Sequence, residues 1–280
     1  MPRIKDFRDK VAVVTGAGSG IGYELALQMA KQGATIIATD ISREGLDKLS
    51  KEVSHTGAAM ASYIVDHSDE IQVARFVDQV LAGYGRVDIL CCNAGVFHQG
   101  KIGEFPLDEW KWVMNINYWG QVYLIDRFVP EMKKNKQGWI LITASGAGLM
   151  PICGFGPYGS AKAALVNLAN IMQMELRKYN INVSALCPGV IATNIMRSGK
   201  IQGQNNQSTM IRMYDKLGAH PGKVAKAGVK GLIKNKAIIR IPLWHIQGMH
   251  VIYKLGTGLF LRLGSFLFNR GWSIIGPILK

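Results

Sequence analysis

Cysteine and proline are both scarce in this 280-residue chain, at four and nine residues. The cysteines (Cys91, Cys92, Cys153, Cys187) have neither CxxC nor Cys/His ligand spacing, which argues against a zinc module or a disulfide framework and reads them as thiols of a reducing compartment. No metal site is expected. The chain has no internal repeat and no Pro/Ser-rich linker, and its 48% hydrophobic and 19% charged residues exclude a disordered chain. Met1–Lys10 is charged and contains no apolar run, so a secretory signal is not expected and a cytoplasmic protein is.

Acid is missing from one end. Residues 1–215 hold 22 Lys/Arg against all 19 Asp/Glu, whereas residues 216–280 hold 11 Lys/Arg and no acid. After Ile241 the basic residues punctuate Trp244, Ile246, Met249, Val251, Leu255, Leu259, Phe260, Leu263, Phe266 and Leu267. That mixture predicts a basic amphipathic helix on an anionic membrane surface rather than a nucleic-acid-binding tail. The alternative is a tail packed on its own domain or on a second subunit. Its longest uncharged run is 13 residues, Ile241–Tyr253, too short to span a bilayer. The expected organisation is one domain over residues 1–241 and an extension over 242–280.

What is present in the first 190 residues is alternation of short β-rich apolar runs with helical patterns, the signature of a doubly wound parallel α/β sheet. Strands are expected at Lys10–Thr15, Thr35–Thr39, Met60–Val65, Val87–Cys92, Trp139–Thr143, Asn182–Leu186 and Ala237–Ile241. Helices are expected at Gly20–Gln32, Ser42–Ser54, Glu70–Tyr84, Leu107–Lys134, Tyr158–Tyr179 and Pro221–Asn235.

The first strand-to-helix turn reads Thr15-Gly-Ala-Gly-Ser-Gly-Ile-Gly22. In such a turn Gly16 permits the reversal, Gly20 lets the backbone approach a pyrophosphate, and Gly22 lets helix and strand pack closely, with the helix N-terminus facing phosphate. Asp40 ends the second strand, where a carboxylate can bind both adenosine ribose hydroxyls; it could equally cap the helix that follows.

This turn, Cys92-Asn-Ala-Gly95, Asn117, Ser145, Tyr158-Gly-Ser-Ala-Lys162 and Pro188-Gly189 occur in the order found in the short-chain dehydrogenase/reductase family, which residues 8–193 resemble. The YxxxK match alone means little, since composition predicts roughly 0.7 chance matches. Its place, 13 residues after Ser145 at a helix start, is what persuades. The resemblance implies a Rossmann-type seven-stranded sheet in the order 3-2-1-4-5-6-7 and a catalytic set of Asn117, Ser145, Tyr158 and Lys162.

Tyr158 and Lys162 share a helix face, so the ammonium can favour a phenolate. Lowering a phenol from ~10 to near 7 takes ~4 kcal/mol, within reach of one ammonium and an oxidised nicotinamide together. Tyr158 would then be the base in alcohol oxidation and the acid in carbonyl reduction. Ser145 would hold the reacting oxygen. By resemblance, Lys162 would also bind the nicotinamide ribose and Asn117 order a proton-relaying water.

The cofactor contacts implied by resemblance are Thr15, Gly16, Ser19, Gly20, Ile21, Gly22, Asp40, Asp66, Asn93, Ala94, Gly95, Tyr158, Lys162, Pro188, Gly189, Ile191 and Thr193. Asp66 would meet the adenine amino group, and Pro188–Thr193 would wrap the nicotinamide, although Thr193 could also cap a helix. The family's usual Asn is Cys92 here. NAD is expected over NADP, because Asp40 would repel a 2′-phosphate and the positions that carry cations in NADP-binding relatives are Ser19 and Ile41.

The implied partner is a hydrophobic alcohol or ketone. The pocket is expected from residues 147–152, 96–98, Val190 and a mobile-looking stretch, Asn194–Tyr214, with His98 a polar contact or solvent-facing. A homodimer or homotetramer is expected through the helices at 107–134 and 158–179, the second presenting Leu165, Leu168, Ile171, Met172 and Leu176. The functional alternatives are a redox sensor or membrane-surface interaction protein without turnover on the same scaffold, and a sugar-nucleotide epimerase or dehydratase. No catalytic residue is missing, and the glycine spacing is not GxxGxxG.

Overall fold

A computed structural model describes residues 6–202 and 204–269. Strands β1 (Val11–Thr15), β2 (Thr35–Asp40), β3 (Met60–Ile64) and β4 (Ile89–Cys92) alternate with helices α1 (Gly20–Ala30), α2 (Arg43–Ser54) and α3 (Glu70–Tyr84). A two-residue strand, β5 (His98–Gln99), precedes α4 (Leu107–Met114) and α5 (Gly120–Lys134), and β6 (Gly138–Thr143), α6 (Gly156–Leu176) and β7 (Ile181–Pro188) complete the central α/β units. The chain continues through β8 (Lys200–Ile201), α7 (Gln204–Leu217), α8 (Pro221–Ile233), β9 (Ile238–Ile241), α9 (Leu243–Leu255) and α10 (Thr257–Asn269).

Seven strands form one parallel sheet in the order β3-β2-β1-β4-β6-β7-β9, the doubly wound arrangement read from the sequence. Val13 sits opposite Ile37 on one side and Leu90 on the other. The runs VAVVT, ILCC, GWILIT and INVSALCP are buried throughout because helices cover both sheet faces. One face packs Leu25, Met29, Leu46 and Val224 from α1, α2 and α8. The other packs Phe76, Phe128 and Leu165 from α3, α5 and α6. The strand order reverses between β1 and β4, and the crevice outside their carboxyl ends is where such sheets bind ligands.

Three elements differ from their sequence reading. The expected helix over 107–134 is interrupted by a π-helical turn, Asn115–Trp119, which joins α4 to α5 and buries Asn117 completely. Apolar periodicity cannot show one inserted residue per turn. The α5 start also rests on the loop before α3: a Cβ at Gly120 would overlap the His67 carbonyl.

The described part of the stretch from Asn194 carries regular elements, with β8 paired to β5 and α7 contributing to a small core of Phe97, Phe155, Met196, Met210, Met213 and Tyr214. The tail forms two helices rather than one. Gly256 ends α9, and the Thr257 hydroxyl donates to the Tyr253 carbonyl at 2.8 Å. Residues 270–280 and the side chains of Trp244 and Ile246 lie outside the description. Among the described residues, no helix is long and apolar enough to cross a membrane.

Candidate active site

The glycine turn is built by backbone geometry. Gly16 and Gly20 adopt φ of +63° and +57°, the left-handed region that side chains disfavour. A Cβ at Gly22 would overlap the Gly16 carbonyl oxygen, so α1 could not lie this close to β1 with any other residue there. Behind the turn, the Thr15 hydroxyl accepts from the backbone N–H groups of Asn93 at 2.9 Å and Ala94 at 3.0 Å, while the Asn93 amide donates to the Thr15 carbonyl at 3.0 Å. These bonds lock the β1 turn to the β4 turn. Across the crevice, Gly20 approaches the Thr193 methyl, which joins the start of α1 to the segment after β7. Thr193 makes no side-chain cap bond.

Asp40 does not cap α2. Ser42 does, its hydroxyl accepting from the Gly45 N–H at 3.1 Å. Asp40 instead accepts from Gly18 N–H at 2.8 Å and Ser42 N–H at 2.9 Å. A carboxylate has about four lone-pair sites, so two remain to face the cavity. The neighbouring Ile41 is 74% exposed, and Arg43 stands in solvent at the start of α2.

Ser145, Tyr158 and Lys162 lie around the same cavity, of about 660 Å³. Ser145 follows β6, and its hydroxyl oxygen accepts from the Ala147 N–H at 3.1 Å, leaving the hydroxyl proton free to donate. Lys162 is buried on α6 and its ammonium donates to the Thr143 carbonyl at 2.8 Å. Burial lowers its pKa to about 8. Burial also raises the Tyr158 phenol above its ordinary value, with the Ser145 hydroxyl acting in the opposite direction. In the chain alone desolvation is the larger of the two influences, so the lowering expected from Lys162 and an oxidised nicotinamide together needs the cofactor. Asn117 uses both ends of its amide on Val96, accepting from its N–H at 2.7 Å and donating to its carbonyl at 2.9 Å. A Cβ at Gly95 would lie 3.0 Å from the Asn117 amide oxygen and 3.4 Å from the Lys162 ammonium, so glycine lets these two groups converge.

Gly16, Ser19, Gly20, Ile21, Asp40, Asp66, Asn93, Ala94, Gly95, Pro188, Gly189, Ile191 and Thr193 all line the cavity with Ser145, Tyr158 and Lys162. Thr15, Gly22 and Asn117 stand behind it. The left-handed glycines, the close turn and the Asp40 carboxylate fit a dinucleotide along this wall. Asp66 accepts from the Ser68 backbone and hydroxyl at 2.8 and 2.7 Å. Among the described residues, no group of three His, Cys, Asp or Glu is placed to hold a metal.

His98 corrects its sequence reading. It is fully buried and its ring meets the Glu109 carboxylate at 2.7 Å, so it neither lines the cavity nor faces solvent. The remaining wall is mainly apolar: Phe97, Trp112, Met150, Ile152, Phe155 and Met196, joined by the phenol of Tyr214 and by Met249 and Phe260 from the tail, with Asn194 and Ser198 among them. The tail residues and Trp112 carry no motif, and only the fold brings them here.

The family model described as short chain dehydrogenase matches residues 10–202, and this chain belongs to that family. A C alpha-dehydrogenase of Sphingobium sp. is 32% identical over 251 residues, covering 85% of this chain and 82% of that protein. An uncharacterized oxidoreductase of Bacillus subtilis is 36% identical over 191 residues, covering 68% and 74%. A Burkholderia phymatum short chain dehydrogenase/reductase solved in complex with NAD superposes with a TM-score of 0.85 at 26% identity, covering 91% of this chain and 96% of that one.

Proposed function

We propose that this protein is an NAD(H)-dependent dehydrogenase that interconverts a hydrophobic secondary alcohol and its ketone. The observation that carries the reading is one cavity in which a dinucleotide cradle meets Ser145, Tyr158 and Lys162 opposite an apolar wall. When bound, the nicotinamide supplies or accepts the hydride. Tyr158 takes the hydroxyl proton in oxidation and returns it to the carbonyl oxygen in reduction. The free Ser145 proton is donated to the reacting oxygen, which orients it and offsets developing charge. Lys162 holds the ribose beside Tyr158. The Asn117 side chain is engaged with Val96 at one acceptor and one donor position, and the positions that remain would order a relaying water beside Lys162.

NAD is favoured over NADP because Asp40 presents a carboxylate where a 2′-phosphate would sit, and no cation accompanies it at Ser19 or Ile41. The assembly we infer is a homodimer, or a tetramer built from it. Its basis differs from the sequence reading, since Leu165, Met172 and Leu176 are buried in the chain's own core. Exposed Leu107, Trp119, Ile171 and Met174 remain on the α4–α6 surface. Light scattering at micromolar concentration tests it, and a monomer would refute it. In this reading residues 1–241 form a catalytic domain of cytoplasmic character, and the basic, apolar tail gives it a peripheral membrane contact. The deciding experiment is NADH formation over a panel of hydrophobic secondary alcohols, with Tyr158→Phe as control; no turnover on any of them would refute the reading.

A further inference from the structure

The α9–α10 hairpin carries cavity-lining residues and exposed apolar residues side by side. Met249 of α9 and Phe260 of α10 line the active-site cavity, and Tyr253 meets Phe260 edge-on at 5.4 Å, closing the two helices on each other. Next to them, Leu255 is 85% exposed, Leu259 64% and Leu263 52%. Leu259 and Leu263, four apart, make an apolar stripe on α10, and Leu255 precedes it at the hairpin bend. Water does not favour so much contiguous apolar surface.

Lys254 and Arg262 flank the stripe, and residues 216–280 contain no acid. A second copy is therefore a poor occupant. A two-fold contact would set this purely cationic border against itself, with no carboxylate in the region to pair. An anionic bilayer supplies both the hydrocarbon and the opposite charge.

Resting on the dehydrogenase reading above, we propose that the hairpin docks on an anionic lipid surface and delivers to the cavity a water-insoluble alcohol or ketone dissolved in that bilayer. The exposed stripe takes the membrane while Met249 and Phe260 beside it line the route to Tyr158.

The test uses the full-length protein and the double variant Leu255→Glu/Leu259→Glu, whose positions lie outside the cavity lining and are exposed, so that an unchanged thermal melt is expected. Co-sedimentation is measured with vesicles of phosphatidylcholine alone and with added phosphatidylglycerol. Turnover is measured on a dodecanol dissolved in the vesicles and on water-soluble cyclohexanol. The wild type should bind the anionic vesicles in a salt-sensitive way, and the variant about ten-fold more weakly or worse. The variant should lose a similar factor in kcat/KM on the vesicle-borne alcohol while keeping its rate on cyclohexanol.

Equal vesicle binding by the two proteins would overturn the docking, as would a wild type that ignores phosphatidylglycerol. A variant that is monomeric where the wild type is dimeric, with no vesicle binding by either, would assign the stripe to a second copy and overturn it too. Equal losses on both alcohols would overturn delivery. Intact vesicle binding with no turnover of either alcohol by the wild type would overturn the dehydrogenase reading and delivery together, and is distinguishable from a failure of docking.

Discussion

The cavity has two walls built by different means. On the nucleotide side, the shape is made by main chain: left-handed Gly16 and Gly20, the close approach at Gly22, and the Thr15 hydroxyl tying two turns together. On the substrate side it is made by side chains such as Met196, Tyr214, Met249 and Phe260. A wall made of backbone tolerates almost no added atom, while a wall made of methionine and aromatic side chains can repack. The first suits a ligand that is always the same, and the second suits substrates that differ between relatives.

The largest expected effect lies where the walls meet. Tyr158→Phe should lower kcat by about 10²–10⁴-fold, the range lost with a general acid–base group, and leave NADH affinity unchanged because the adenosine half lies elsewhere. Stopped-flow turnover and fluorescence titration check the two halves of this statement. A wild-type rate would remove Tyr158 from the mechanism.

Next in size is a direct trial of the two construction methods. Gly22→Ala drives a methyl into the Gly16 carbonyl, so it should destabilise the fold by about 1–3 kcal/mol and weaken NADH binding well beyond that of Met249→Ala. Met249→Ala should instead raise KM for the alcohol a few-fold with the melting temperature nearly unchanged. Equal effects of the two substitutions on cofactor and substrate would mean that the walls do not differ as described.

The nucleotide wall should also be convertible by charge. At ~4 Å and an effective dielectric near 20, like charges repel by about 4 kcal/mol before screening, an upper-end figure for Asp40 against a 2′-phosphate. Asp40→Ala with Ile41→Arg removes that repulsion and adds a cation where Ile41 now stands exposed. The ratio of kcat/KM for NADP over NAD should rise about 10–100-fold. A wild-type enzyme that already prefers NADP would show that Arg43 or the basic tail supplies the missing charge.

These contrasts also mark what could be read from the sequence. Strands such as VAVVT and GWILIT announce themselves as short apolar runs between helices, and the glycine turn has a spacing that only close backbone approach requires. Side-chain walls leave no such trace. Nothing in the residues around Met249 or Phe260 marks them as cavity lining, because their position follows from the helix break at Gly256 and from packing on β9. The π-helical turn that buries Asn117 is equally silent, as one extra residue per turn is smaller than the resolution of apolar periodicity. His98 shows the opposite error: a polar residue near the pocket suggested a contact, while tertiary packing pairs it with Glu109.

The smallest predicted effect is one of pH, and it belongs to the nucleotide side. His67 is buried at the end of the loop after β3, its ring 2.7 Å from the Thr39 hydroxyl. Burial lowers its pKa from 6.5 to about 4, against a smaller opposing pull from Asp66. Between those two values the unfolded chain binds a proton that the folded chain does not, so stability falls as pH drops below 6.5 and the loss is complete below about 4. At one unit below the unfolded pKa the loss is about 1 kcal/mol. His250 on the tail side is also lowered, by partial burial and then by Arg240 and Lys254, and it adds to the slope with the same sign. Urea unfolding at about pH 7.5 and 5.5 should show the wild type losing roughly that 1 kcal/mol, and His67→Gln losing distinctly less. Gln retains a partner for Thr39 without a titrating ring, so its expected gain at the lower pH is electrostatic rather than a matter of packing. An unchanged slope in His67→Gln would move the acid sensitivity to the tail, and His250→Gln would then have to remove it.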